Sequence, residues 1–587
     1  MKRVAGEFAR PRVAWAFVML VAFALQPAAA FAQEGGDKAA RIDEYLARAA
    51  KIGQFNGAAL VAENGKVIYK KGLGLANMEW NVPNEADTKF RLGSITKQFT
   101  AALILQLVEQ GKLKLDGKLS EYLPDYRKDV GDKVTIHQLL THTSGIPSYT
   151  GLPKFMEDAS RNPYTVAEFV KKYASNDLEF EPGTRFRYNN SGYFLLGAII
   201  EKIHGKSYEQ VIKENIFDPL GMKNSGYDRH NVILPKRANG YEKTATGYRN
   251  ASYLDMSIPY AAGSLYSTVE DLYLWDQALY TDRVMSAKSR ELMYKPFLDN
   301  YAYGWQIGKV KLGQTPETVN SVAHGGGIHG FNTYLVRYPD QKNLIVLLDN
   351  TSQGASLNRI SRDLTSILYN QPFQMPKQSI AEVLMKTIAE RGDVAAAVKQ
   401  YRDLKATQTA TYDFGEAELN ALGYQLLGAK KMKEAIEIFK LNVEAHPQAA
   451  NPYDSLGEAY LLAGERELAL ANYRKAVELN PQNTAAVAII KNLEAPATKV
   501  DPATLDAYAG QYDLPGLGLL DIAKEGEKLM GAPPGQPKVE LTPQADNHFF
   551  AVAPNIHFTF VKDDKGQVTH VTARMRNGRE VQGKKVK

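Results

Sequence analysis

The chain has no cysteine among its 587 residues, and this absence excludes several kinds of chemistry. Without thiols the protein cannot form disulfides, thiolate metal sites or a cysteine nucleophile. The sequence also lacks the HExxH pattern, the Walker loop and the glycine-rich dinucleotide fingerprint. We therefore expect a protein that uses neither a metal nor an organic cofactor.

Positive charge is in only small excess. The chain carries 71 Lys and Arg against 65 Asp and Glu, which is a formal net charge of +6. Residues 1–32 hold four basic residues and one acidic residue, a net +3, so the remainder carries +3. Because this excess is too small for the basic surface that nucleic acids require, we expect no nucleic-acid partner.

A basic segment and an apolar run mark the N-terminus. Four basic residues precede the apolar residues 13–25, and Ala30-Phe31-Ala32 offers a small-x-small cleavage site. A membrane anchor is the alternative, but a membrane span needs about 20 apolar residues, more than this run contains. The pattern predicts a secretory signal peptide over residues 1–32, cleaved after about Ala32. The mature protein is then periplasmic or secreted and has no stable membrane span.

Ser94-Ile95-Thr96-Lys97 places a hydroxyl and an amine three residues apart at the predicted start of a helix that runs to Gln110. Side chains at this spacing lie on one face of a helix. A serine hydroxyl is a weak nucleophile until a neighbouring base removes its proton, and a lysine one turn away can take part in that. The alternative is that Ser94 is only a helix N-cap.

Three further motifs follow in a definite order, at residues 139–147 (LLTHTSGIP), 188–193 (YNNSGY) and 324–327 (HGGG). Together with Ser94–Lys97 they resemble the serine β-lactamase and penicillin-binding-protein superfamily, on its class C, esterase and D-aminopeptidase branch. The resemblance covers residues 41–370. It implies an α/β, β-lactamase-like fold in which an antiparallel sheet flanked by helices is combined with an all-α subdomain.

The resemblance also implies the parts of an acyl-transfer site. Ser94 would be the nucleophile, and Tyr188 matches the tyrosine of the Y-x-N motif, the usual candidate for the general base. Lys97 would act as the base itself or favour the phenolate, since an unperturbed tyrosine titrates near 10. Asn190 would bridge Lys97 and the substrate amide. A core tyrosine and a turn asparagine are the alternatives, and His142 is assigned a structural role.

Residues 324–327 take the place of the K-T-G strand of the superfamily. The glycines let the backbone approach the acyl group, and by the resemblance the amides of Gly327 and Ser94 would form an oxyanion hole, with Gly326 beside them. A plain loop is the alternative. His324 stands where the motif has lysine, and near its reference pKa of about 6.5 a histidine is mostly neutral at neutral pH. This weakens the case for β-lactams and C-terminal D-Ala-D-Ala, and it favours esters, amides or N-terminal D-residues.

The remaining sequence predicts two further parts after a proline-containing linker at residues 371–377. Residues 378–495 carry a repeat of period 34, typical of tetratricopeptide (TPR) helix pairs that could bind a protein partner. Its positions are Leu422, Gly423, Ala435, Phe439 and Pro447, which recur as Leu456, Gly457, Ala469, Tyr473 and Pro481. Residues 501–587 have short apolar runs and turns, including Asn577-Gly578, and predict a small antiparallel β barrel or sandwich.

We therefore predict an exported serine hydrolase that acts through an acyl-enzyme on small ester or amide substrates, D-amino-acid peptides among them. The enzymatic alternative is a β-lactamase or DD-peptidase, distinguished by whether penicillins are hydrolysed or trapped. The non-enzymatic alternative is a TPR scaffold with a vestigial serine site. The retention of Ser94, Lys97, Tyr188 and Asn190 together argues against that scaffold.

Overall fold

The computed structural model describes residues 37–244, 247–313, 315–352, 354–494, 498, 500–534, 538–551, 556–575 and 579–586. The predicted signal peptide and the turn at Asn577-Gly578 lie outside the described residues. The chain forms two compact units. The first consists of residues 37–243 and 249–376. The second consists of residues 377–586, together with residues 244, 247 and 248. Within the described ranges, no helix is both long and apolar enough to cross a bilayer.

A six-stranded antiparallel sheet is the centre of the first unit. The strands of this unit are β1 (Gly57–Glu63), β2 (Lys66–Leu73), β3 (Leu75–Asn77), β4 (Val82–Pro83), β5 (Phe90–Arg91), β6 (Gly226–Tyr227), β7 (Tyr241–Thr244), β8 (Gly247–Asn250), β9 (Leu265–Ser267), β10 (Gln306–Lys311), β11 (Thr318–Ile328), β12 (Phe331–Tyr338) and β13 (Asn343–Asp349). The order in the sheet is β10-β11-β12-β13-β1-β2. Gly57 pairs with Asp349, so strands from the two ends of the unit are neighbours in the sheet.

The β1–β2 hairpin turns at Asn64-Gly65, a pair that favours two-residue hairpin loops. Glu63 pairs with Lys66 across that turn. Both turn residues have positive φ, 51° at Asn64 and 75° at Gly65, which suits a two-residue hairpin loop between twisted strands.

Helices cover both faces of the sheet. They are α1 (Lys38–Lys51), α2 (Thr96–Glu109), α3 (Leu119–Tyr122), α4 (Lys128–Gly131), α5 (Ile136–Leu140), α6 (Phe155–Asp158), α7 (Val166–Tyr173), α8 (Asn190–His204), α9 (Tyr208–Ile212), α10 (Asp218–Leu220), α11 (Tyr260–Gly263), α12 (Val269–Ala278), α13 (Ala287–Met293) and α14 (Gly354–Leu368). Alternate residues of β13 point to opposite faces. Ile345 packs with α1 and α14, whereas Val346 joins the larger core that contains α2, α8 and α12. Because both faces are buried, the strand reads as a continuous apolar run.

The predicted linker at residues 371–377 is partly wrong, because most of it packs into the first unit. Phe373 is buried in the core beneath α1 and α14, with its ring 6.1 Å from that of Tyr45. The carbonyl of Pro376 accepts a hydrogen bond from Nε of Arg48 at 2.9 Å. Proline content alone suggested a linker, but Phe373 supplies the apolar anchor that ties the segment down.

The second unit begins with helices and ends in a barrel. Its helices are α15 (Ile380–Arg391), α16 (Val394–Thr407), α17 (Glu416–Gly428), α18 (Met432–Ala445), α19 (Ala450–Leu462), α20 (Arg466–Leu479), α21 (Thr484–Glu494) and α22 (Pro502–Tyr508). The glycines of the 34-residue repeat lie where two helices approach closely. A Cβ at Gly423 would lie 2.4 Å from the Phe439 ring, and one at Gly457 would lie 3.2 Å from the Tyr473 ring.

Of the two β architectures predicted for the C-terminal residues, the structure has the barrel. After the short strands β14 (Gln378–Ser379) and β15 (Tyr412–Asp413), eight antiparallel strands follow. They are β16 (Gly510–Leu514), β17 (Gly518–Glu525), β18 (Lys528–Ala532), β19 (Val539–Ala545), β20 (His548–Ala551), β21 (Ile556–Lys562), β22 (Val568–Arg574) and β23 (Glu580–Lys585). The pairing of β16 with β23 closes the barrel, so it has no open edge.

These contacts predict where the chain can be cut. A fragment of residues 33–377 should fold, because it keeps Phe373 and Pro376 in place. A fragment of residues 33–369 should be less stable, by about 3 kcal/mol or more, since losing a buried phenylalanine typically costs that much. Thermal unfolding followed by circular dichroism would compare them. Equal midpoints would show that Phe373 contributes nothing to this core.

Candidate active site

The structure brings Ser94 and Lys97 together. Gly93–Ile95 forms a 3-10 turn, and α2 continues from Thr96, so the helix predicted to start at Ser94 is confirmed with a tighter first turn. Nζ of Lys97 lies 3.1 Å from Oγ of Ser94.

The amine of Lys97 is fully buried and has three hydrogen-bond partners. Besides Ser94, these are Oδ1 of Asn190 at 2.9 Å and the carbonyl oxygen of Ala262 at 2.9 Å. The rings of Tyr188 and Tyr193 lie 4.9 and 5.5 Å from Nζ. No carboxylate among the described residues pairs with this amine, and burial lowers the pKa of Lys97 well below its usual value of 10.5.

Tyr188 lies beside Ser94 and Lys97. It keeps 37 % of its surface exposed, so it sits at the mouth of the site rather than in the core. Enough protein surrounds the phenol that desolvation raises the pKa of Tyr188, and the Ser94 hydroxyl opposes this rise only in part. The local environment therefore favours the protonated phenol in the resting protein.

Asn190 is the first residue of α8, where the preceding Asn189 caps the helix by accepting a hydrogen bond from the amide of Gly192. The amide of Asn190 donates to Oγ of Ser148 at 3.1 Å, and its side-chain Nδ2 donates to Oγ1 of Thr150 at 3.3 Å. These bonds orient the side chain so that its oxygen faces Lys97.

His142 has the structural role that the sequence suggests. Its Nδ1 accepts the backbone N–H of Asn189 at 3.0 Å, and its carbonyl accepts the N–H of Arg187 at 2.9 Å. The ring lies 4.3 Å from that of Tyr188. Burial, with a smaller effect from the charge of Lys97, lowers the pKa of His142 well below its usual value. A neutral His142 thus holds the segment that carries Tyr188.

His324 does not lie on the cavity wall, where we expected it to meet the substrate. It is buried, its Nε2 accepts the hydroxyl of Tyr301 at 2.8 Å, and its Nδ1 donates to the carbonyl of Gly325 at 2.6 Å. Side chains alternate along β11, so residues 325 and 327 face solvent while His324 faces inward. Burial, assisted by the charge of Lys97, lowers its pKa to about 4, well below the reference value assumed from sequence.

Gly326 and Gly327 bring β11 against the serine turn. A Cβ at Gly326 would lie 2.0 Å from the carbonyl oxygen of Leu92, which also accepts a hydrogen bond from Thr333 at 2.7 Å. On the other side of the contact, Gly93 has φ +54°, and a Cβ there would lie 2.9 Å from the amide nitrogen of Gly327. The amide of Gly327 is thereby held next to Ser94.

A cavity of about 130 Å³ opens at this point. Apart from Tyr149 and His329, no ionisable side chain among the described residues lines it. The lining residues are Gly93, Ser94, Tyr149, Thr150, Met156, Asn190, Leu254, Ile258, Pro259, Ala262, Gly263, Gly327, Ile328 and His329. The described part of the wall therefore offers no fixed charge to a substrate.

A second cavity, of about 240 Å³, shares Leu254 and His329 with the first and is more polar. Arg91 and Arg237 line it, and both pair with the buried carboxylate of Asp228, at 2.5 and 2.7 Å. The second cavity therefore has two guanidinium groups in its wall, which the described wall of the first cavity lacks.

Several residues of the site were not found from sequence. The carbonyl of Ala262 accepts a hydrogen bond from Lys97, and the hydroxyl of Tyr301 donates one to His324. Neither residue lies in a motif, and only the fold brings it close to its partner. Gly93 could have been found from sequence, because a glycine directly before the S-x-x-K pattern indicates that another backbone segment packs closely there. The described residues include no group of three or more His, Asp or Glu placed to hold a metal.

Comparison with known proteins gives two family matches. Residues 41–367 match the family described as Beta-lactamase, and residues 494–585 match a domain of unknown function, DUF3471.

Individual relatives agree with the first match. The chain is 33 % identical over 353 residues to penicillin-binding protein 4* of Bacillus subtilis, covering 55 % of this chain and 75 % of that protein. It is 27 % identical to the teichoic acid D-alanine hydrolase of Staphylococcus aureus, over 57 % of this chain and 79 % of the relative. The D-amino acid amidase of Ochrobactrum anthropi, solved with L-phenylalanine, superposes with a TM-score of 0.50 at 26 % identity, over 57 % of this chain and 99 % of the amidase.

The burial of His324 predicts the pH at which its ring gains a proton. Because burial favours the neutral ring, its NMR signals should titrate near pH 4 and stay unchanged from pH 8 to 5.5. The unfolded chain binds a proton at this residue near pH 6.5 and the folded chain does not. This residue therefore lowers the free energy of unfolding as pH falls from about 6.5 towards 4.

A matched variant tests the cause. Tyr301→Phe removes the hydroxyl that donates a hydrogen bond to Nε2 of His324. The neutral ring then loses a partner, so the pKa of His324 should rise. The spectrum of His324→Gln assigns the signal. A wild-type midpoint near 6.5 would contradict the geometry described for this residue.

Proposed function

Because this chain belongs to the β-lactamase family and is a serine hydrolase of that family, we propose that it hydrolyses ester or amide bonds through an acyl-enzyme on Ser94. The observation that carries the proposal is the 3.1 Å contact between Oγ of Ser94 and the buried amine of Lys97 at the edge of a cavity. A nucleophile and a base at hydrogen-bond distance are what acyl transfer by a serine requires.

Lys97 is proposed as the base of the resting enzyme. A neutral amine has two N–H groups and one lone pair. It can donate to Asn190 and to the carbonyl of Ala262 while it accepts the hydroxyl proton of Ser94. The burial that lowers the pKa of Lys97 favours this form, whereas the raised pKa of Tyr188 disfavours a phenolate base.

The proposed reaction then moves one proton around the site. Oγ of Ser94 bonds to the substrate carbonyl carbon as its proton passes to Lys97. The N–H groups of Ser94 and Gly327 stabilise the oxyanion. When the bond to the leaving group breaks, that group takes the proton of Tyr188, which Lys97 replaces. In the second half, water attacks the carbonyl carbon of the acyl-enzyme and gives a proton to Lys97. The bond to Oγ of Ser94 then breaks, and Oγ takes that proton back as the acid product leaves.

The cavity supports a substrate whose acyl part carries no carboxylate. Lysine at the position of His324 would attract a carboxylate, but His324 is buried and neutral, and the described cavity wall holds no other cation close to Ser94. The names of two relatives, a teichoic acid D-alanine hydrolase and a D-amino acid amidase, favour D-aminoacyl esters or amides. Within the proposal, the neighbouring cavity with Arg91 and Arg237 receives the leaving group.

A β-lactamase or DD-peptidase remains the second candidate, favoured by the relationship to penicillin-binding protein 4*. Penicillin turnover distinguishes the two, since a β-lactamase releases penicilloate and a DD-peptidase is trapped as a stable acyl-enzyme.

The domain assignment is also a proposal. It places the hydrolase in residues 41–370, TPR-like repeats that bind a protein partner in residues 378–495, and the β domain in residues 501–587. The helix contacts at Gly423 and Gly457 support the repeat. Export by cleavage after about Ala32 rests on the N-terminal sequence alone.

Covalent labelling tests the nucleophile. A fluorophosphonate should label the wild type, and Ser94→Ala should abolish the label without changing the circular dichroism spectrum. Ser207→Ala is the matched control, because Ser207 caps the distant helix α9 on the surface. Labelling of Ser94→Ala at the wild-type level would refute the assignment.

The phenol of Tyr188 is tested by its removal. Tyr188→Phe should lower kcat for a D-alanine ester by about 10² to 10⁴, the range for loss of a positioned proton donor or acceptor. In Tyr193→Phe the lost hydroxyl donates to the buried carbonyl of Leu140 at 2.9 Å, so stability should fall by about 1 kcal/mol while kcat changes little. If both variants keep wild-type kcat, Tyr188 takes no part in proton transfer.

A further inference from the structure

The interior of the C-terminal barrel is filled unevenly. At one end aromatic side chains pack tightly, with the ring of Tyr508, the last residue of α22, stacked on that of Phe560 at 4.2 Å. Phe549 lies 5.5 Å from Phe560, and Tyr512 completes this group. This end of the barrel is an ordinary close-packed core.

The other part of the interior encloses a cavity of about 370 Å³. Apart from Phe558 the described lining is aliphatic, and none of its described side chains carries an N–H, an O–H or an oxygen acceptor. The lining residues are Leu462, Leu514, Leu517, Gly518, Leu519, Leu520, Gly531, Ala532, Pro533, Val539, Leu541, Ala551, Ile556, Phe558, Ala573 and Met575.

Size and lining define what can occupy this cavity. Ligand pockets typically measure about 300–1,000 Å³, and an eight-stranded barrel is wide enough to hold one small ligand. Ordered water needs two to four polar partners, which this lining does not offer. The cavity is therefore suited to an aliphatic group.

The rim of the cavity points to a ligand that enters from solvent. Leu462, Leu517 and Leu519 line the cavity and are also 44 %, 45 % and 39 % exposed. A guanidinium lies near this rim, because Nη2 of Arg579 is 3.6 Å from the Cβ position of Gly516, the residue that precedes Leu517. Apolar walls with a cation at the opening fit an aliphatic chain that ends in a carboxylate.

We propose that the barrel binds one fatty acid, with the alkyl chain in this cavity and the carboxylate at the rim. The site is separate from Ser94 and does not depend on the proposed hydrolase activity. It assigns a ligand class to a domain whose family has no stated function.

Titration of the full chain with cis-parinaric acid, a fluorescent fatty acid, tests the proposal. We expect saturable binding of one molecule with a Kd of about 10 µM or tighter. Palmitate should displace the probe at least about tenfold more effectively than hexadecanol, since charge-assisted contacts are the stronger ones. Absence of saturable binding would overturn the proposal, and equal displacement by the alcohol would overturn the placement of the carboxylate.

Filling the cavity locates the site. Ala573→Phe should weaken binding at least about tenfold, because Ala573 is buried in the wall and the added ring takes up ligand space. Ala523→Phe is the matched control. Ala523 follows the core residue Ile522 in β17 and so faces outward. Equal binding by the two variants would place the ligand elsewhere.

A second measurement serves if Ala573→Phe does not fold. The chain has four tryptophans, none of them after residue 305, so Phe558→Trp places a new donor in the cavity wall. Bound cis-parinarate should quench the added emission, and unchanged emission during binding would overturn the site. If the exposed leucines instead serve a membrane, phosphatidylglycerol vesicles will bind the protein while free fatty acid does not, which would also overturn it.

Discussion

One buried amine connects three segments that are distant in sequence. Lys97 bonds to the serine turn, to the start of α8 at Asn190 and to the backbone at Ala262. A charged ammonium without a carboxylate partner would cost several kcal/mol to bury, so the protein around Lys97 favours its neutral form. The geometry of Ser94 and Asn190 and the protonation of the site depend on the same contact.

The groups around Lys97 are kept uncharged as well. His142 and His324 both have lowered pKa values, and Tyr188 has a raised one, each chiefly because of burial. In such a site the first full charges are those that the reaction creates, an ammonium at Lys97 and an oxyanion beside Gly327. Charges of opposite sign attract more strongly here than in water, because the surroundings have a lower effective dielectric constant.

Much of this arrangement was predictable from sequence because local patterns determine it. The S-x-x-K spacing predicted the Ser94–Lys97 contact, and the 34-residue repeat predicted the helix pairs. The position of His324 was not predictable. Its motif resembles a substrate-binding strand, yet its side chain turns inward to Tyr301. The linker prediction failed for a similar reason, because Phe373 packs against Tyr45 of α1, which lies far away in sequence. Long-range packing decided both cases.

The second unit shows the same limit. Its period of 34 was visible in the sequence, and the helices follow it closely. The closure of the barrel and its uneven filling were not visible, because they depend on which alternate strand residues face inward together. Alanines at 551 and 573 are ordinary strand residues in sequence and become cavity walls only in the closed barrel.

The most direct test of the account is the protonation state of Lys97. Lysine labelled with ¹³C at Cε gives one NMR signal per side chain, and Lys97→Met identifies the signal of interest. If burial keeps the amine neutral in the resting enzyme, this signal will titrate well below the usual 10.5. A lysine that stays protonated up to pH 10 would contradict the account, and Tyr188 would then have to act as the base.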